Sequence, residues 1–175
     1  MAYYIYLISS LPMLNFLSKP AIGLEEFLQK CKGLVPEKEI GLLHSACYEQ
    51  PDLLNISLNE TLEKWVNFET GLRNALVKAR ARRKKTDPQK FIRLPDSQDA
   101  HISHVAMASY RMQSLFEAEK SLDQERWNYL EYLSTNHFFD LDFLLTYALK
   151  LKILKRWDRI QKADKESLFN QTLLT

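Results

Sequence analysis

Apolar residues recur along most of this chain at intervals of three and four, the spacing that puts them on one helical face. Leu24, Phe27, Leu28 and Cys31 begin the pattern, and Gly33 stops it. Pro36 suits a first helical turn, after which Ile40, Leu43 and Cys47 carry a second stripe up to Pro51. Ser57-Leu-Asn-Glu60 reads as a capping box, so a helix is expected to start at Ser57. Leu62, Trp65, Phe68, Leu72, Ala75, Leu76 and Ala79 extend it to Lys85 without a proline. Thr86–Ser97, with two prolines, reads as a loop. Val105, Ala108, Met112, Leu115 and Phe116 predict a helix from Gln98 to Ser121, and Trp127, Leu130 and Leu133 one over Leu122–Asn136. Asp140 is a natural cap for a last helix over Leu141–Lys162, beyond which Asp164–Thr175 continues as helix or frays.

One stretch departs from this period. Tyr3–Ser9 is a β-branched and aromatic run closed by Leu11-Pro12, short enough for either a strand or a buried helical turn; we read it as a strand. The expected fold is all-α, an elongated antiparallel helical bundle whose one exception is that short N-terminal strand. At 175 residues it suits one helical domain over 1–175. Within it lie a segment 1–56 with two short helices, a long helix 57–85, a loop 86–97 and C-terminal helices 98–175.

Composition agrees, with 46% apolar residues, 26% charged and only four glycines, few for tight turns or phosphate loops. Net charge is +2, too small to imply a polyanion partner for the whole molecule, but its distribution is uneven. Residues 1–70 carry 5 basic against 9 acidic side chains, 71–120 carry 11 against 5, and 121–175 carry 8 against 8. The positive field centres on Lys78–Lys85, where six of eight residues are Lys or Arg.

Candidate chemistry is sparse. GxxxxGK[ST] and GxGxxG turns are absent, which disfavours nucleotide hydrolysis and dinucleotide binding. None of His44, His101, His104 and His137 has a Glu three residues before it, as a di-iron bundle requires. Cys31 and Cys47 fall on apolar helical positions and read as reduced core thiols. Asp96, Asp99, His101 and His104 form the best metal candidate, yet HxxH lacks a third fixed ligand, and an exposed first helical turn explains the same residues. The expectation is no enzyme, no cofactor and no metal. The N-terminus lacks the basic residues and cleavage site of a signal peptide and is too short to span a bilayer. A cytoplasmic protein is expected, in which Asn55, Asn59 and Asn170 are chance glycosylation sequons.

The basic run has three readings. Six cations could contact several phosphates, though aromatic residues are not interleaved among them. They could meet anionic headgroups, though the run has no apolar wedge after Leu76 and Val77. Or they complement the dipole at a helix C-terminus.

Three stretches in order carry a family resemblance: Tyr3-Tyr-Ile-Tyr-Leu-Ile-Ser-Ser-Leu-Pro12, Leu72–Ala81 with Asp87–Phe91, and Phe143–Ile153 with Arg156-Trp157. Together they resemble a bacterial family of unknown function encoded with V-type ATPase subunits. More remotely, the chain is similar to the C-type funnel subunit of V/A-type ATPases (d-type in eukaryotes), the helical protein that joins the central stalk to the membrane rotor ring. The funnel subunit is much longer, so the resemblance implies a non-catalytic accessory or coupling subunit, not a complete funnel. It implies V/A-type ATPase subunits of the central stalk or rotor ring as partners, no small-molecule substrate, and a membrane location only through that complex. Arg73, Asn74, Arg80, Lys150, Arg156 and Trp157 match the pattern. The candidate partner-binding residues are Arg73, Lys78, Arg80, Arg82, Arg83, Lys84, Lys85, Arg156 and Trp157, since Arg pairs well with carboxylates and Trp anchors interfaces. The alternative is a nucleic-acid-associated adaptor that uses residues 78–85.

Overall fold

A computed structural model describes residues 4–49, 59–95 and 99–173, the side chains of 164–173 excepted. Its described elements are helices α1 (Ile5–Ser10), α2 (Leu24–Cys31), α3 (Glu37–Tyr48), α4 (Glu60–Lys84), α5 (Ala100–Arg111), α6 (Leu115–Leu133) and α7 (Leu141–Leu173), with one short 3₁₀ turn at Gln89–Phe91. The fold is all-α, and the described residues contain no sheet. The chain divides into two compact units, one made of 1–49 and 133–175 and the other, inserted between them, of 50–132.

The expected N-terminal strand is a helix. A strand needs a neighbouring edge for its N–H and C=O groups, whereas a helix satisfies them locally. The amide of Ile8 bonds the carbonyl of Tyr4 at 2.9 Å, and Leu7 and Ile8 turn inward. Tyr3 lies outside the described residues.

In the first unit α7 packs on α2 and α3. Phe27, Cys31, Leu43 and Ala46 are fully buried, as are Leu144, Leu145, Ala148, Leu151 and Leu154 of α7. Asp140 caps α7 as expected, its Oδ1 accepting from the Phe143 amide at 3.0 Å. Polar groups tie the other segments to this helix: the Tyr147 hydroxyl donates to the Pro12 carbonyl at 2.8 Å, and Lys152 Nζ donates to the carbonyls of Ala46 and Glu49 at the end of α3. A cation there meets the negative end of the α3 dipole. Both thiols are free, and burial pushes Cys31 up to about 11 and Cys47 to about 12. The helix of α7 continues to Leu173, so the backbone beyond Asp164 is helical as far as it is described.

The described residues of the second unit form three helices. Helix α4 starts at Glu60, with Asn59 accepting from the Leu62 amide at 2.9 Å. Asn59 therefore performs the capping expected of Ser57, which lies outside the described residues. Leu62, Trp65, Phe68, Leu72 and Ala79 form the buried stripe. The expected helix over Gln98–Ser121 breaks early: α5 starts after Asp99, whose carboxylate accepts from the His101 and Ile102 amides, and ends at Arg111. Ser114 then opens α6, its hydroxyl accepting from the Glu117 amide at 3.3 Å. Ser114-Leu-Phe-Glu117 carries the S-x-x-E signature of a helix start, and that local cap outweighs the apolar period running through it.

Side-chain contacts fix the directions. Arg126 on α6 meets Glu69 on α4, and Tyr129 stacks on Phe68 with centroids 4.0 Å apart and reaches the Lys64 carbonyl. His101 on α5 meets Glu125, and Ser109 meets Ser121. Helix α6 thus runs antiparallel to both α4 and α5, and those two run the same way. The connection after α4 makes this possible by doubling back along the helix it leaves.

Candidate partner-binding surface at the end of helix α4

Helix α4 ends in a complete C-terminal cap. Lys85 takes the left-handed conformation (φ 52°, ψ 39°), its amide bonds the Arg82 carbonyl, and the Thr86 amide bonds the Ala81 carbonyl at 3.1 Å. This is the Schellman pattern, usually closed by glycine because any Cβ in that conformation costs roughly 1 kcal/mol. A lysine holds the position here, and its side chain is exposed.

The next ten residues return along α4 and are clamped to it. Asn74, fully buried, donates through Nδ2 to the Arg93 carbonyl at 2.7 Å and accepts from the Arg93 amide at 3.0 Å. Its amide stands in for a strand neighbour, satisfying both polar groups of one loop residue. Arg73 adds a bond from Nη1 to the Phe91 carbonyl at 3.2 Å. Two of the residues singled out in the sequence therefore hold the loop, and Arg73 already commits a donor inside the molecule.

The remaining cations of the run are arranged around the helix. At about 100° per residue, Lys78, Arg82 and Lys85 share one side and Arg80, Arg83 and Lys84 the opposite one. The stripes between them are occupied, by Ala79 in line with the packed face and by Ala81 in line with Asn74 and the returning loop; both alanines are buried. Arg80, Arg82, Arg83, Lys84 and Lys85 are exposed, and none is in an ion pair with a described residue. Lys78 is half-buried. On the return, Lys90 and Arg93 are exposed beside Phe91 (59%) and Leu94 (88%). Exposed apolar groups therefore do accompany the cations, though not within the run itself.

Arg156 and Trp157 lie on α7, in the other unit. The guanidinium carbon of Arg156 is 5.8 Å from the Trp157 ring centroid, and the Trp157 side chain is 2% exposed, so this indole is packing and does not present itself at the surface. Lys150 is half-buried on the same helix.

The metal candidate also resolves differently. Asp96 lies outside the described residues, and Asp99 is committed to capping α5. His101 Nε2 meets Glu125 at 2.7 Å, and this hydrogen bond, with the carboxylate's charge behind it, raises the imidazole pKa. Among the described residues the grouping that could offer three ligand atoms is instead His137, Asp140 and Asp142, whose atoms lie within 4.8 Å of one another. The spacing H-x-x-D-x-D could have drawn notice in the sequence. Its geometry already has a structural use, since Asp140 caps α7 with one oxygen and takes His137 Nδ1 at 2.7 Å with the other.

The described residues form an all-α fold with a cluster of exposed cations at the end of α4. Residues 106–174 match the model of a family described as a protein of unknown function, DUF2764. That stretch covers less than half of the chain and includes Phe143–Trp157, while α4 and the returning loop lie outside it. No curated protein and no solved structure matches the chain. No described helix is long and apolar enough to cross a membrane.

Proposed function

We propose that this protein is a non-catalytic accessory or coupling subunit of a bacterial V/A-type ATPase, similar in role to the C-type funnel subunit that links central stalk and membrane rotor. The observation that carries this reading is the end of α4: five exposed cations without a carboxylate among the described residues, one of them on a left-handed backbone that glycine would hold at less cost. Such a site supports a contact surface for a carboxylate-rich partner. The three ordered stretches that resemble the ATPase-associated family support the ATPase subunits as that partner.

Affinity purification of the tagged protein from its native cells tests this. Central-stalk or rotor-ring subunits of the ATPase are expected to co-purify, more weakly as salt rises. A protein recovered free of that complex would refute the reading. The exposed cations also favour a second reading, a nucleic-acid-associated adaptor. Fluorescence anisotropy with duplex and single-stranded oligonucleotides at two salt concentrations separates the two, because phosphate contacts weaken steeply with salt.

A further inference from the structure

The cations are not alone at their end of the second unit. Since α6 runs antiparallel to α4 and Arg126 lies level with Glu69, the axial positions of the other residues can be counted. Leu115 lies eleven residues before Arg126, about 17 Å along the axis, and Lys84 fifteen residues after Glu69, about 23 Å in the same direction. The α5–α6 corner therefore reaches to within roughly one helical turn of the end of α4. That corner exposes Met112 (40%), Leu115 (77%) and Phe116 (47%), three apolar side chains in five residues, with Arg111 exposed beside them. Among the described residues the exposed acids at this end are Asp87 and Glu117, against Arg80, Arg82, Arg83, Lys84, Lys85 and Arg111.

We propose that this end of the 50–132 unit is a membrane-surface docking site, in which Met112, Leu115 and Phe116 enter the headgroup boundary of an anionic bilayer while the surrounding Arg and Lys side chains meet its phosphates. The basic run by itself lacks the apolar wedge that such docking needs. The fold supplies it from a corner about thirty residues further along the chain. Each cation near an anionic surface adds an attraction that salt weakens, and apolar insertion adds one that salt does not screen. The lipid contact competes for the same cations with the acidic protein contact of the proposed function; what favours a bilayer is the exposed apolar corner beside them, which a purely acidic face would leave unburied. This lipid contact goes beyond the proposed place in an ATPase and does not require it.

Co-sedimentation of the full chain with vesicles tests the site, comparing phosphatidylcholine alone with phosphatidylcholine containing about 30% phosphatidylglycerol. Binding is expected to the anionic vesicles and to be roughly tenfold weaker at 300 mM than at 50 mM salt. Arg83→Glu with Lys84→Glu is expected to abolish it. Leu115→Ser, at a 77% exposed position and checked for an intact fold by circular dichroism, is expected to weaken it about threefold or more. Tyr6→Ser, at a 91% exposed aromatic in the other unit, is expected to change nothing.

The proposal is overturned by sedimentation that ignores phosphatidylglycerol, by Leu115→Ser binding as well as the parent, or by Tyr6→Ser losing as much as Leu115→Ser. Tighter binding to soluble polyglutamate than to the vesicles would give the end to an acidic protein and also overturn it. Vesicle binding without ATPase subunits in the affinity purification would sink the proposed function and leave this site standing; the reverse result would do the opposite.

Discussion

Arg126 and Arg83 sit in the same unit and meet opposite fates. Arg126, on α6, is largely buried and fully paired: Nε donates to Glu69 at 2.7 Å and Nη1 to Asp123 at 2.9 Å, with a longer bond from Nη2 to the second Glu69 oxygen. Burial alone would lower its pKa, and the two carboxylates more than offset that, holding it well above the ordinary value. Arg83 stands in solvent with no carboxylate from the described residues. The chain thus places acids on a cation it buries and leaves them off the helix end it exposes. A buried cation must be neutralised for the fold to form, whereas an exposed one costs little and remains open to something outside the chain.

The largest test of this contrast is Arg126→Met. Removing the guanidinium takes the bidentate partner from Glu69 and an ion pair from the 1%-exposed Asp123, so unfolding in urea should show a loss of about 3–5 kcal/mol. Adding Glu69→Gln should recover part of it, and a loss below about 1 kcal/mol would mean the cluster is more hydrated than its geometry implies. Next comes Asn74→Ala, which removes the two bonds to the Arg93 amide and carbonyl; about 1–3 kcal/mol is expected, with faster proteolysis within 86–95 as the specific readout. At the exposed end the sign reverses. Lys85→Gly should stabilise by roughly 0.5–1 kcal/mol by relieving the left-handed residue, while removing one cation from the exposed end of α4.

The smallest effect is expected at His101, two-thirds exposed beside Glu125. Its pKa is raised in the folded state, so its contribution is fully present below the unfolded imidazole value, about 6.5, and is lost as pH rises through the folded value. His101→Gln should remove that slight slope in stability between about pH 6 and 8, and moderate salt should flatten it in the parent.

Much of the fold is legible in the sequence because its signals are local. Asp140 reads as the cap of α7 from position alone, and the stripes of α2, α3 and α4 follow three-and-four spacing. Two departures have local causes too. The Ser114 cap signature is masked by the apolar period that continues through it from Met112 to Phe116, and the N-terminal apolar run resembles a strand because six residues contain too little period to distinguish the two.

The site is legible only in part. Six clustered cations are plain in a sequence, but what accompanies them is a matter of topology. Asn74 reaches a residue nineteen positions away, Arg126 one fifty-seven away, and Leu115 comes near the helix end because the connection doubles back and α5 then runs out in the direction of α4. Charge is a property of composition; which charges are neutralised is a property of pairing across the chain.

The doubled-back connection also has slack. From Lys84 to the level of Asn74 the drop is ten helical residues, about 15 Å, while the nine residues from Lys85 to Arg93 could stretch to about 30 Å. The surplus is taken up in the turn at Gln89–Phe91. An epitope or a small fluorescent label could therefore be spliced in near Asp87, or two residues removed there, without disturbing the pairing at Arg93, which offers a handle for following this end of the molecule inside a cell.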